Sequence, residues 1–196
     1  MARTLRAIRT LVLSAALLTA TATATANPAA EAPDPELRAV LMTAVEISES
    51  FEDRYDAEVW LTDMSGRLEH RIPDPVQRVA LLRYVHREAT RAQLSPELVL
   101  AVIEVESNFD PYAISSAGAL GLMQVMPFWL HEIGRPADNL FHIPTNLRFG
   151  CTILKHYLDK ERGNLSRALA RYNGSLGRDF YPNRVMSALD RRWLVP

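Results

Sequence analysis

SPELVLAVIEVESNFDPYAISSAGALGLMQVMP, residues 95–127, is the stretch from which the rest of the chain is read. Ser95 is a good N-cap, Pro96 suits the first helical position, and Glu97 favours the positive end of a helix. The pattern predicts a helix from Pro96 to about Ser107, stopped by Asp110-Pro111. Val99, Val102, Ile103 and Glu106 fall at i, i+3, i+4 and i+7, so Glu106 closes an apolar stripe. Glu104 lines up instead with Glu97, Leu100 and Ala101, on a face that begins with a charge, and is expected to be the dispensable one of the two. After a polar turn, a loop punctuated by Gly118 and Gly121 leads through Pro127 into a second helix.

The placement of Glu106 has chemical consequences. Desolvation disfavours a charged carboxylate, and so does the negative end of a helix, so both push its pKa upward. A carboxyl group kept protonated near neutral pH can act as a general acid.

Outward from this stretch, the 196 residues suit one domain with appendages, and the net charge of −1 argues against a dominant electrostatic nucleic-acid surface. Arg3, Arg6 and Arg9, an apolar run from Leu11 to Ala20 and the small residues Ala24-Thr25-Ala26 read as a cleavable secretory signal over residues 1–26. Its removal would take the net charge to −4. No cysteine follows the signal to carry a lipid. The mature chain is therefore expected to be a soluble, periplasmic or secreted protein. Cys151, the single cysteine, rules out an intramolecular disulfide and reads as a small buried residue.

Residues 27–34 form a proline- and alanine-rich linker. Residues 35–73 read as a small helical extension, in which Leu37, Val40, Leu41, Ala44, Ile47 and Phe51 recur at helical spacing. A second pattern there holds Val59, Trp60, Met64 and Leu68, bounded by Gly66 and then Pro73. Trp60 is read as a core aromatic. Asp74-Pro75 opens the main domain, 74–196, with a helix to about Gln93. Further helices are expected over Phe128–Ile133, over Pro144–Glu161 with Gly163 as a stop, over Leu165–Tyr172 capped by Asn164, and from Pro182 onward. The fold class is mainly α.

Several chemistries lack their signatures. The five histidines show no metal-ligand spacing, Gly118 and Gly121 do not form a phosphate loop, and Ser115 and Ser116 lack a nucleophile elbow. Neither a metal nor a cofactor is expected. An ordinary glycosidase needs a second carboxyl group. Asp110 is the best candidate, although Asp-Pro more often starts a turn.

Three motifs in order carry a resemblance. Glu106-Ser107 ends a helix; Ser115, Gly118, Ala119, Gly121, Leu122, Met123 and Gln124 follow, with Met126-Pro127 behind them; Ala170, Tyr172, Asn173 and Gly174 come last. From about Val76 to Val185 the chain resembles the catalytic domain of the family 1 soluble lytic transglycosylases, relatives of goose-type lysozyme. Asn146 and Gly150 match a further Asn-x-x-x-Gly pattern. The resemblance implies a lysozyme-like helical domain acting on peptidoglycan glycan strands as a monomer, with no stable membrane anchor after signal cleavage. It implies Glu106 as general acid and then base, cleaving the β-1,4 bond between N-acetylmuramic acid and N-acetylglucosamine to leave 1,6-anhydro ends. Ser115, Met123, Gln124, Tyr172 and Asn173 are the substrate-binding residues it implies, with Met123 and Gln124 lining the saccharide groove and Tyr172 beside the Glu106 carboxyl. Ser175 stands where many members have a second glycine; Tyr181 and Val185 match a last motif, a Tyr followed by a helix with Val, in which Pro182 is unusual. A lysozyme-like hydrolase and an inactive wall-binding scaffold are the competing readings.

Overall fold

The structure is a computed structural model that describes residues 54–133 and 137–194. The expected signal, the linker and the helical pattern from Leu37 to Phe51 lie outside the described residues. Among the described residues seven α-helices follow one another: α1 (Arg54–Leu68), α2 (Pro75–Arg91), α3 (Pro96–Ser107), α4 (Phe128–Ile133), α5 (Ile143–Lys160), α6 (Leu165–Tyr172) and α7 (Phe180–Ala188). A π-helical turn, Leu189–Trp193, follows α7. Among the described residues there is no extended strand, only isolated bridges pairing Leu120 with Ile114 and with Val125.

The helix starts follow local chemistry. Asp74 accepts the backbone N–H groups of Val76 and Gln77 ahead of α2, Ser95 accepts that of Leu98 in α3, and Asn164 accepts that of Arg167 in α6. At the end of α5 the chain turns through Arg162 (φ 53) and Gly163 (φ 83), the Gly163 N–H reaching back to the Leu158 carbonyl. Some helix boundaries differ from those expected. Gly66 lies inside α1 rather than bounding a helix. The last helix begins at Phe180, two residues before Pro182, which still falls in the first turn, where the missing N–H has no intrahelical partner to lose.

Helix α3 is the axis of the domain, contacting α2, α7 and the π-helical turn. Six consecutive residues, Leu98 to Ile103, are buried, so no single stripe defines its inner face. This overturns the expectation of a charged face through Leu100 and Ala101. Helix α5 packs on α2 and α6, and α1 lies on α2. Between α2 and α5 the fully buried carboxylate of Glu88 is shared by Arg87, Arg91 and Arg148, with Arg91 also donating to Thr152 Oγ1 at 2.7 Å. Such a group is tolerated in the interior because every oxygen has a charged partner. Trp60 of α1 is half-buried; its indole donates to Glu97 Oε1 at 2.6 Å, and its ring meets His86 edge-on.

The loop between α3 and α4 is fixed from behind by Asn146 of α5. Its Oδ1 accepts the Met123 N–H at 2.8 Å, and its Nδ2 donates to the carbonyls of Leu120 (2.8 Å) and Leu140 (2.9 Å). Gly121 (φ 73) has to be glycine there, because a Cβ would lie 2.4 Å from Asn146 Nδ2 and 2.5 Å from the Leu140 carbonyl oxygen. One turn along α5, a Cβ on Gly150 would lie 2.7 Å from Met123 Cβ, and Cys151 Sγ sits 3.9 Å from Met123 Sδ. The Asn-x-x-x-Gly spacing thus binds the loop backbone with one residue and makes room for the loop's methionine with the other. Gly150→Ala is expected to cost about 1–3 kcal/mol by overpacking. Thermal unfolding checks this: the midpoint should fall, whereas Ala substitution at the uncrowded Gly66, in the interior of α1, should not lower it.

Candidate active site

Glu106 occupies the last turn of α3. Its neighbour Ser107 donates its hydroxyl to the Leu122 carbonyl at 2.8 Å and to the Ile103 carbonyl at 3.2 Å, fastening the helix end to the loop. The chain then leaves through two left-handed residues, Asn108 (φ 49) and Phe109 (φ 69). Asn tolerates that conformation, whereas a bulky Phe adopts it only under constraint.

Tyr181 of α7 donates its hydroxyl to Glu106 Oε1 at 2.7 Å. Burial pushes the Glu106 pKa up to about 7, outweighing the Tyr181 hydrogen bond and the positive Arg184, both of which pull it down. Near neutral pH the carboxyl therefore exists in both protonation states, the condition for giving and then taking a proton. Burial and the charge of Glu106 hold the Tyr181 hydroxyl well above its usual pKa, so it stays a donor.

The other expected site residues are distributed as follows. Tyr172 lies in the field of Glu106, which raises its pKa after burial does, but its hydroxyl donates to the Met123 carbonyl at 2.7 Å. The tyrosine whose hydroxyl reaches Glu106 is Tyr181. Met123 is fully buried against Gly150 and Cys151, so it backs the loop and does not line a groove with its side chain; the expectation failed because Gly150 opens an interior slot for it. Gln124 is itself left-handed (φ 49), and its Nε2 donates to the carbonyls of Gly121 (2.9 Å) and Ala113 (3.1 Å). Ser115 Oγ accepts the Ala119 N–H at 3.0 Å, which shapes the turn. Asn173 is exposed just after α6. Asp110 accepts the Tyr112 N–H at 2.9 Å, a turn-forming role.

Glu104, expected to be the dispensable glutamate, is firmly held. Arg71 Nη2 (3.2 Å), Arg192 Nη1 (3.0 Å) and Trp193 Nε1 (3.0 Å) converge on it. Burial raises its pKa as well, but its oxygens are held on both sides. Arg184 was missed: it adds positive charge beside Glu106 and lies over the exposed Phe180 ring, 5.8 Å from the centroid. Its only signal in the sequence was its position three residues after Tyr181. Among the described residues no cluster of three or more His, Cys, Asp or Glu side chains could hold a metal ion.

The family model of the transglycosylase SLT domain matches residues 83–190, from within α2 to the π-helical turn. The chain belongs to the transglycosylase SLT family. A transglycosylase of Enterobacteria phage PRD1 is 32% identical over 104 residues, covering 50% of this chain and 38% of the phage protein. Membrane-bound lytic murein transglycosylase C of Actinobacillus pleuropneumoniae is 52% identical over 46 residues, 24% of this chain and 13% of that protein. Among solved structures, lytic transglycosylase Slt of Pseudomonas aeruginosa, in an inactive mutant form, is 31% identical with a TM-score of 0.43 over 61% of this chain and 19% of that one. The chain thus spans well under half the length of these relatives. Within the SLT segment lie Glu106, the loop that Asn146 binds, Tyr172 and Tyr181; Arg71, Arg192 and Trp193 lie outside it.

Proposed function

We propose that this chain is a peptidoglycan lytic transglycosylase in which Glu106 acts first as general acid and then as general base. The observation that carries the reading is the half-buried Glu106 carboxyl, with a pKa of about 7 and a Tyr181 hydroxyl 2.7 Å away, inside the segment that matches the SLT domain. Protonated Glu106 gives its proton to the glycosidic oxygen between N-acetylmuramic acid and N-acetylglucosamine as the bond from that oxygen to the anomeric carbon breaks. The muramic acid 6-hydroxyl then closes onto the anomeric carbon and yields its proton to the Glu106 carboxylate. The acid is regenerated, a 1,6-anhydro end forms, and no water is consumed. Tyr181 supports the carboxylate state between the two transfers, and Tyr172 stiffens the Met123 carbonyl at the back of the loop.

This route needs no second carboxylate, which fits the turn-forming role of Asp110. Digestion of murein sacculi by the pure protein should release muropeptides with 1,6-anhydro ends, each one water lighter than its hydrolysed counterpart. Asp110→Asn should keep most of the activity. Predominantly reducing muramic ends in the mass spectrum, together with a dead Asp110→Asn, would transfer the chain to the hydrolases. Binding to sacculi without release would favour the scaffold. Murein lies outside the cytoplasm, so the reading of residues 1–26 as an export signal and of the product as periplasmic or secreted belongs to the same proposal. Among the described residues no helix is long and apolar enough to cross a membrane.

A further inference from the structure

Two segments outside the family-matched region meet at the end of the helix that carries Glu106. From the short connection after α1, Arg71 donates Nε to Asn108 Oδ1 at 3.0 Å and Nη2 to Glu104 Oε1 at 3.2 Å, and its guanidinium lies 5.8 Å from the centroid of the Phe109 ring. From the C-terminal side, Trp193 donates to Glu104 Oε2 at 3.0 Å and packs its ring on Phe109 at 5.8 Å. Glu104, Asn108 and Phe109 bracket Glu106.

The bracket encloses strained backbone. Asn108 and Phe109 are consecutive non-glycine residues with left-handed φ, and Phe109 carries no side-chain polar group to compensate. Such conformations persist only where the surroundings over-determine them. Arg71 touches all three bracketing positions: the carboxylate before Glu106, the amide of the left-handed Asn108, and the ring of the strained Phe109. Arg192 also pairs with Glu104 Oε1, at 3.0 Å.

We propose that Arg71 is a positioning residue: it holds the strained turn after Ser107 and thereby keeps the Glu106 carboxyl on the Tyr181 hydroxyl. The proposal rests on Glu106 being the catalytic acid. Without Arg71 the Asn108–Phe109 turn relaxes toward ordinary φ, the last turn of α3 loosens, and Glu106 swings on a backbone no longer fixed. A small displacement of a reacting group costs rate and leaves binding largely intact.

The test compares full-length wild type with Arg71→Met, Arg192→Met and Asn108→Ala, at a temperature where each is folded. Hydrogen exchange is read along α3, and kcat and KM are read separately from muropeptide release. In Arg71→Met the Ser107 and Asn108 amides should exchange on the order of tenfold faster while those of Leu100 to Ile103 keep their protection. Its kcat should fall about 10- to 100-fold with KM changed by no more than about twofold. Asn108→Ala, which removes the acceptor and the tolerance for left-handed φ, should reproduce both effects. Arg192→Met should reproduce neither, even if its melting temperature drops as far. A uniform rise in exchange along α3, or a wild-type kcat per folded molecule in Arg71→Met or Asn108→Ala, overturns the proposal. Glu106→Gln, run in parallel, keeps the two ideas apart. If it stays active, the catalytic assignment falls, and the exchange pattern alone then reports whether Arg71 holds the turn.

Discussion

Glu106→Gln is expected to abolish muropeptide release, by at least about 100-fold, while making the folded protein more stable at alkaline pH. The amide keeps the shape of the side chain and loses the transferable proton, and general acid–base participation is typically worth about 10²–10⁴-fold. The stability change has the opposite sign. The folded-state pKa of about 7 lies above the ordinary 4.5, so between those values the native state binds more protons than the unfolded chain. Stability therefore falls as pH rises from about 4.5 to 7 and stays low above it. At pH 8 the partly desolvated charge costs up to about 3 kcal/mol, which an uncharged Gln does not incur. Melting temperatures of wild type and variant at pH 5 and pH 8 check this: the gap should open in favour of the variant at pH 8 only. A variant that retains activity would end the catalytic assignment; one that melts lower at pH 8 would show that the carboxylate is stabilised in place.

Asn146→Ala should be the most damaging change away from the reacting groups. It leaves the Met123 N–H and the carbonyls of Leu120 and Leu140 without their side-chain partner, at a residue that is 1% exposed. A buried polar group stranded in this way costs about 1–3 kcal/mol, so a loss on the order of 3–5 kcal/mol is expected. For a chain of this size that lowers the melting temperature by on the order of 10 °C. Asn146→Asp should be no milder, because it turns a donor into a charge facing two carbonyl oxygens. Activity should fall in both, since the loop held by Asn146 carries Gln124 and supplies the carbonyl that Tyr172 binds.

Local chemistry made much of this fold legible. Asp74, Ser95 and Asn164 cap the helices they were expected to cap, and Leu165–Tyr172 begins and ends where its spacing indicated. The failures have a common physical origin. A helical wheel assumes one wet face, and α3 has six buried residues in succession, so the wheel could not say that Glu104 is gripped by two arginines and a tryptophan. Gly66 ends no helix: α1 runs two residues past it, to Leu68. The motifs name both tyrosines near Glu106, and only the packing of α7 on α3 determines that Tyr181, not Tyr172, makes the bond. Met123 was readable as important from its motif but not as buried, because the slot it fills is opened by Gly150, 27 residues away.

Cys151 has a consequence of its own. Its thiol is fully buried, and its pKa is raised further by burial and by the negative charge of Glu88. Only the thiolate is an effective nucleophile, so the folded chain offers oxidants and alkylating reagents almost nothing to react with. An unfolded chain exposes an ordinary thiol. Because it is the single cysteine in 196 residues, every covalent adduct or disulfide-linked dimer records a molecule that had opened at least as far as α5. The side chain is a built-in counter of unfolding events, and in an oxidising compartment it would mark damaged copies while leaving intact ones untouched.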